Sequence, residues 1–297
     1  MRILITGASG LIGKALTKSF DEKGFDLLLA GRSDPKAERE TKWTIDDGFA
    51  EPERLEGLDA VIHLAGESVS ALRWTDEKKE AIRRSRVEGT RSVVDALSRL
   101  KTRPKTFISG SAIGFYGDRD DEILTESSIA GDNFLAETSR EWESESRRAE
   151  DAGIRTVLLR TGIVLSKEGG ALATMLLPFR FGVGGVVGDG KQWMSWISLE
   201  DEVRAIEFVL ERDDIRGAVN LTSPNPVTNQ EFTTTLGEVL HRPTFIPLPE
   251  FAVSMLLGEM GDELLISSTR AVPSRLADLG FEWKFPDLKA ALEHAVA

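Results

Sequence analysis

Gly7, Gly10 and Gly13 stand three residues apart in R-I-L-I-T-G-A-S-G-L-I-G, the stretch from Arg2 to Gly13. An apolar run (Ile3, Leu4, Ile5) stops at Thr6, and Leu11, Ile12, Ala15 and Leu16 then begin a helical pattern. A buried strand, a tight turn and a helix start in that order can hold a pyrophosphate. Gly7 permits the sharp turn, Gly10 carries no Cβ to block a phosphate, and Gly13 lets helix and strand pack closely. The helix N-terminus adds free N–H groups and the positive end of its dipole. Glycines at this spacing in an ordinary surface turn would lack the flanking strand and helix that the chemistry requires.

A second chemical signal follows the second apolar run. Asp26–Ala30 reads as a strand that closes at Gly31-Arg32-Ser33. An acidic residue there, about 20 residues beyond the glycines, would bind a ribose 2′-hydroxyl. Arg32 and Ser33 stand there instead, with Lys36 and Arg39 close behind. A guanidinium can take a 2′-phosphate bidentately, whereas a carboxylate would repel it. The expected cofactor is NADP(H).

These residues need a scaffold, and the chain alternates strand and helix patterns. Strands are expected at Leu4–Thr6, Asp26–Ala30, near Trp43–Ile45, and at Asp59–Ala65, Thr106–Ser109 and Arg155–Arg160. Helices are expected from Leu11 to about Lys23, from about Asp76 to Leu100, and from about Asn133 to Asp151. This is the pattern of an α/β, Rossmann-type, doubly wound parallel sheet with right-handed crossovers. After Gly162 the texture changes. Residues 166–190 are glycine-rich around an apolar insert, and a helix (about 200–211) and a strand (218–222) return toward the sheet. From Pro224 onward proline punctuates short helices. The expected division is a dinucleotide-binding domain over 1–165, with a return segment at about 196–222. The remainder of 166–297 would form a smaller C-terminal lobe over the substrate.

Composition narrows the chemistry. The 297 residues contain no cysteine and three histidines (His63, His241, His294), which argues against thiolate catalysis, disulfides and a metal centre. A formal charge of −12 argues against nucleic acid and anionic membrane surfaces. No run approaches the roughly 18 apolar residues of a membrane span, so a cytoplasmic location is expected. His63, in the middle of a strand, reads as a satisfied core residue.

T-G-A-S-G-L-I-G, D-A-V-I-H-L-A-G (Asp59–Gly66), V-E-G-T (Val87–Thr90) and S-G-S-A with the following Y-G (Ser109–Gly117) resemble the extended short-chain dehydrogenase/reductases. S-A-I-G-F-Y-G, F-L-A-E…W-E, L-R-T-G-I-V-L and G-D-G-K-Q-W-M-S-W-I narrow the resemblance to the branch called epimerase family proteins. The resemblance covers essentially the whole chain. It implies that Gly7, Ser9, Gly10, Leu11 and Ile12 lie at the pyrophosphate, and Arg32 and Ser33 at the adenosine ribose. Leu64, Ala65 and Gly66 would lie by the nicotinamide-side ribose, and Ser109 to Ala112 beside the nicotinamide.

Ordinary members of that superfamily use a Y-x-x-x-K pair, in which lysine lowers the tyrosine pKa for proton exchange. Phe134 and Thr138 occupy those positions here, and a phenyl ring has no proton to give. Arg86 replaces the asparagine usual before V-x-G-T. The remaining catalytic candidates are Ser111 and Tyr116, with Glu67, Ser68 and Glu126 nearby, although an aromatic in a Phe-Tyr-Gly loop such as Tyr116 is more often a packing residue. Arg86, Gln192 and Trp196 are candidates for the substrate: Arg86 either binds an acidic group or pairs with a glutamate on its own helix, and Trp196 either stacks on a flat substrate or plugs the junction between the two lobes. The leading expectation is an NADP(H)-dependent oxidoreductase acting on an unidentified small molecule without the Tyr-Lys pair. A non-catalytic NADP(H) sensor is the alternative, and a nucleotide-sugar epimerase or dehydratase ranks below both. The chain is expected to be a monomer or a homodimer.

Overall fold

A computed structural model describes all residues, 1–297. Eight strands form the main sheet: β1 (Arg2–Thr6), β2 (Asp26–Gly31), β3 (Glu40–Thr44), β4 (Gly48–Phe49), β5 (Ala60–His63), β6 (Thr106–Ala112), β7 (Arg155–Thr161) and β8 (Gly217–Leu221). Their spatial order is β8-β7-β6-β5-β1-β2-β3-β4. All pairings are parallel except β3 with β4. The order reverses at β1, which lies between β5 and β2, and the crevice at such a reversal is where open α/β sheets bind ligands.

Alternation along each strand feeds two cores. Ile3, Ile5, Ile62 and Ile108 face α1 (Leu11–Glu22) and α5 (Leu199–Leu210), joined by Leu16, Phe20, Ile206 and Val209. Leu4, Leu28, Val61 and Phe107 face the other way, onto Val93, Val94 and Leu97 of α2 (Asp76–Ser98). α3 (Phe134–Asp151) packs beside α2 on that face. Burial on both faces explains why these strands read as continuous apolar runs.

Two details differ from the sequence reading. The third strand lies at Glu40–Thr44, and the chain turns back into β4, which the sequence reading did not contain. Trp43 and Phe49 close that turn with ring centroids 6.1 Å apart. β5 stops at His63, so Leu64–Gly66 form a loop at the crevice.

A further core joins α4 (Gly170–Arg180), α6 (Asn229–Leu240) and the last helix, Leu288–Val296, through Leu172, Leu176, Trp196, Phe232, Leu236 and Leu292. Asp201, fully buried in the first turn of α5, accepts the N–H groups of Lys284 (2.7 Å) and Phe285 (2.8 Å), tying the C-terminal segment to the sheet domain. The helix α7 (Glu250–Leu257) and residues 259–266 lie against the starts of α2 and α3. There Arg73 donates to the carbonyls of Met255 and Leu256, and Lys79 pairs with Glu259 at 2.7 Å. No helix is long and apolar enough to cross a membrane.

Candidate functional site

The glycine turn is fixed by contacts that a side chain would destroy. Gly7 has φ +72°, and a Cβ on it would lie 2.7 Å from the carbonyl of Leu64. A Cβ on Gly13 would lie 2.2 Å from the Gly7 oxygen, so helix and strand touch directly. At Gly10 the only such neighbour is the Gly7 oxygen at 3.3 Å, and the outer side is open. α2, α3, α5 and α6 each have a side-chain cap, from Thr75, Asn133, Ser198 and Thr228. α1 has none and carries no acid in its first turn. Its first N–H groups, around Leu11 and Ile12, therefore point unpaired into the crevice beside exposed Ser9.

At the end of β2, Arg39 is paired with Asp21 and Lys42 with Asp34, both near 2.8 Å. Arg32 is exposed, takes part in no ion pair, and stands next to exposed Ser33. The sequence grouped Arg39 with Arg32, but the fold commits Arg39 to α1.

Behind the crevice, His63 is a core residue. Nδ1 meets Thr6 Oγ1 at 2.7 Å and Nε2 meets Thr90 Oγ1 at 3.1 Å, and burial lowers its pKa to about 4. Thr6 Oγ1 also receives the N–H of Ala65 at 3.3 Å, fixing the start of the Leu64–Gly66 loop. Ser109 turns its hydroxyl away from the crevice, toward Ser146 of α3 at 2.8 Å.

Ser111 and Tyr116 belong to one buried polar network. The Ser111 hydroxyl donates to Glu143 Oε1 at 2.9 Å, and Glu143 forms a doubly bonded ion pair with Arg160 at 2.7 and 2.9 Å. Arg160 donates to the Tyr116 oxygen at 3.0 Å, and Tyr116 donates to Asn220 Oδ1 at 2.6 Å. Burial works against the Arg160 charge, but the Glu143 carboxylate overcomes it and holds the guanidinium above its usual pKa. Tyr116 is 0% exposed, and burial pushes its phenol up. A phenol that is inaccessible, doubly engaged and harder to ionise has the geometry of a tie between β7 and β8, not of a proton donor. Ser111 keeps only its lone pairs free while Glu143 holds its proton. Glu126 accepts from the N–H groups of Asn220 (3.1 Å) and Arg275 (3.3 Å) through Oε1, while its Oε2 is buried without a partner. Glu143 and Arg160 were not among the residues read from sequence, although an arginine inside the apolar strand L-L-R-T signals a buried partner.

Phe134 opens α3. The Lys79 ammonium lies 4.6 Å from its ring centroid and Trp74 meets it edge-on at 5.2 Å. Thr138, one turn later, is buried, and its hydroxyl has no partner. Arg86 reaches from α2 toward this face. Its Nη1 donates to the carbonyls of Glu67 (3.0 Å) and Ile82 (3.1 Å), and burial lowers its pKa to about 10. The side chain of Glu67 itself pairs with Lys78 at 2.7 Å. Ser68, exposed in the same loop, caps the N–H of Ser70.

Gln192 and Trp196 do not reach the crevice. Both N–H bonds of the Gln192 amide are used, on the carbonyls of Val187 and Leu265, each at 3.0 Å. Trp196 is 0% exposed, sits in the core shared by α4, α6 and the last helix, and donates to the Asn225 carbonyl at 3.1 Å. Pairing of 196–198 with 163–165 points it inward, so it plugs the junction and cannot stack on a ligand.

The description "NAD dependent epimerase/dehydratase family" matches residues 3–221. The chain belongs to this family. Within it the chain is one of the extended short-chain dehydrogenase/reductases called epimerase family proteins. A domain of unknown function matches residues 248–295. An epimerase family protein of Mycobacterium bovis is 41% identical over 99% of this chain and 97% of its own length. The Bacillus subtilis epimerase family protein YfhF is 38% identical over 100% and 98%. Among solved structures, human epimerase family protein SDR39U1 with NADPH superposes with a TM-score of 0.91 at 32% identity, covering 99% of both chains.

Proposed function

We propose that this chain holds NADP(H) across the β1–α1 turn and the end of β2, and exchanges a hydride with a small substrate beneath the C-terminal lobe. The observation carrying this reading is an uncapped α1 N-terminus beside an unpaired Arg32. The first suits a pyrophosphate and the second a 2′-phosphate. The NADPH in the human relative's structure supports the same cofactor. When bound, a nicotinamide dinucleotide supplies the hydride donor or acceptor.

Gly7, Ser9, Gly10, Leu11 and Ile12 hold the pyrophosphate, Arg32 and Ser33 the 2′-phosphate. Leu64–Gly66 and the backbone from Ser109 line the nicotinamide side. Ser111 offers lone pairs to a substrate hydroxyl, while Tyr116 positions Arg160, which positions Glu143 and through it Ser111. With Phe134 in place of a proton-donating tyrosine, water in the cleft carries the proton. A second reading, a cofactor-state sensor, is favoured by the same engagement of both hydroxyls and by the lobe segment docked on α2 and α3.

Purified protein loaded with NADPH and mixed with aldehydes, ketones and quinones separates the two. Loss of NADPH absorbance supports the oxidoreductase. Tight binding without oxidation, together with a partner captured by one cofactor state, supports the sensor.

A further inference from the structure

On the facing sides of α2 and α3, Arg86, Thr138 and Trp142 keep polar atoms without a protein partner. Arg86 spends Nη1 on two carbonyls, and its Nε and Nη2 find no acceptor. The Glu67 carboxylate on the adjoining loop is engaged by Lys78. The Arg86 guanidinium lies 5.3 Å from the Trp142 ring centroid. Trp142 Nε1 and Thr138 Oγ1 are buried without partners on the same side of α3, one turn apart. Guanidinium and indole N–H groups can only donate, so any ligand group that satisfies them must bring acceptors. Arg86 is half-buried and no carboxylate is bonded to its guanidinium, which leaves it free to take a ligand anion.

The way in is at Gly66. A Cβ there would lie 3.6 Å from Arg86 Cζ and 3.7 Å from both terminal nitrogens, so the bare glycine leaves the flat face of the guanidinium uncovered. Gly66 lies two residues after Leu64, whose carbonyl a Cβ on Gly7 would meet at 2.7 Å, which puts the guanidinium at the lip of the crevice.

We propose that Arg86 is the receptor for a carboxylate carried by the substrate, held beside the dinucleotide at the Gly66 lip. The substrate is then a small organic acid, a class that deepens and rests on the dinucleotide reading above. A planar carboxylate can accept two parallel N–H bonds from a guanidinium. A ribose hydroxyl would leave its own proton unpaired against a donor-only edge.

The test titrates NADPH-saturated protein with malonate by calorimetry, in wild type, Arg86→Met and Arg86→Lys. Wild type binds malonate, Arg86→Met weakens it by about tenfold or more, and Arg86→Lys recovers part of the loss. NADPH affinity stays within about threefold in both variants, which also reports that they fold. Four results overturn the proposal: no malonate binding to the loaded wild type, equal binding in Arg86→Met, inorganic phosphate binding more tightly than malonate, or NADPH affinity falling in step with malonate affinity. If Arg86→Met does not fold, Arg86→Lys binding malonate no more weakly than wild type also overturns it. Wild type that binds no NADPH is a separate result, which removes the dinucleotide reading itself.

Discussion

Glu263 holds the start of the helix that begins at Phe134: its Oε1 accepts the Phe134 N–H at 3.0 Å and its Oε2 the Leu135 N–H at 2.9 Å. A carboxylate from 129 residues away thus satisfies two of the orphan donors at the start of α3 and complements its dipole. Burial pushes the Glu263 carboxyl up, with the two N–H groups opposing. Replacing Glu263 by Ala removes these two bonds while the Asn133 cap remains, and should cost about 1 kcal/mol. Hydrogen exchange should quicken at Phe134–Glu137 and across residues 250–266 together. Faster exchange at only one of these segments would show that the two are not coupled here.

Glu202 is fully buried with Oε1 on Thr161 (2.9 Å) and Oε2 unpaired, and burial raises its pKa from the ordinary 4.5 to about 8. The folded state therefore favours the protonated acid. Its stabilising effect is complete below pH 4.5 and is lost as pH rises through about 8, with a slope near 1.4 kcal/mol per unit in that window. Glu202→Gln keeps the Thr161 bond and removes the titration. Urea unfolding should find it more stable than wild type at pH 9 by on the order of 3 kcal/mol, and much closer at pH 5. Parallel pH profiles for the two proteins would contradict this.

Glu143 and Arg160 are each 4% exposed in their side chains, and removing one partner strands the other's charge. Glu143→Ala should cost about 3–5 kcal/mol in urea unfolding. Tyr116→Phe, which leaves only Asn220 and one Arg160 N–H short, should cost about 1–2 kcal/mol. It should leave NADPH affinity unchanged. If NADPH oxidation by any carbonyl substrate is found, Tyr116→Phe should not abolish its alkaline pH limb; abolition would restore Tyr116 as the proton donor.

The parts of this site that were legible in sequence are local ones. The strand-glycine-helix order from Arg2 to Gly13, and the basic end of β2, are written in neighbouring residues, and the fold keeps them together. Tyr116 shows what neighbours cannot tell: its environment is set by Arg160 and by Asn220, 104 residues away. Trp196 and Gln192 follow flexible glycines that suggest a pocket wall, but pairing with 163–165 turns Trp196 into the core, and the carbonyls of Val187 and Leu265 take up the Gln192 amide. Glu263 carries no local sign of its role. Glu202 did leave one, because it falls on the Ile206–Val209 stripe of α5, where helical spacing places buried side chains.

The central claim is that the crevice prefers the 2′-phosphorylated cofactor because Arg32 is free to bind it. Calorimetric titration of wild type and Arg32→Glu with NADPH and with NADH tests it directly. Wild type should bind NADPH at least about tenfold more tightly than NADH, and Arg32→Glu should weaken NADPH by about a hundredfold while changing NADH little. Equal affinities for the two cofactors in wild type, or equal losses in the variant, would contradict the account.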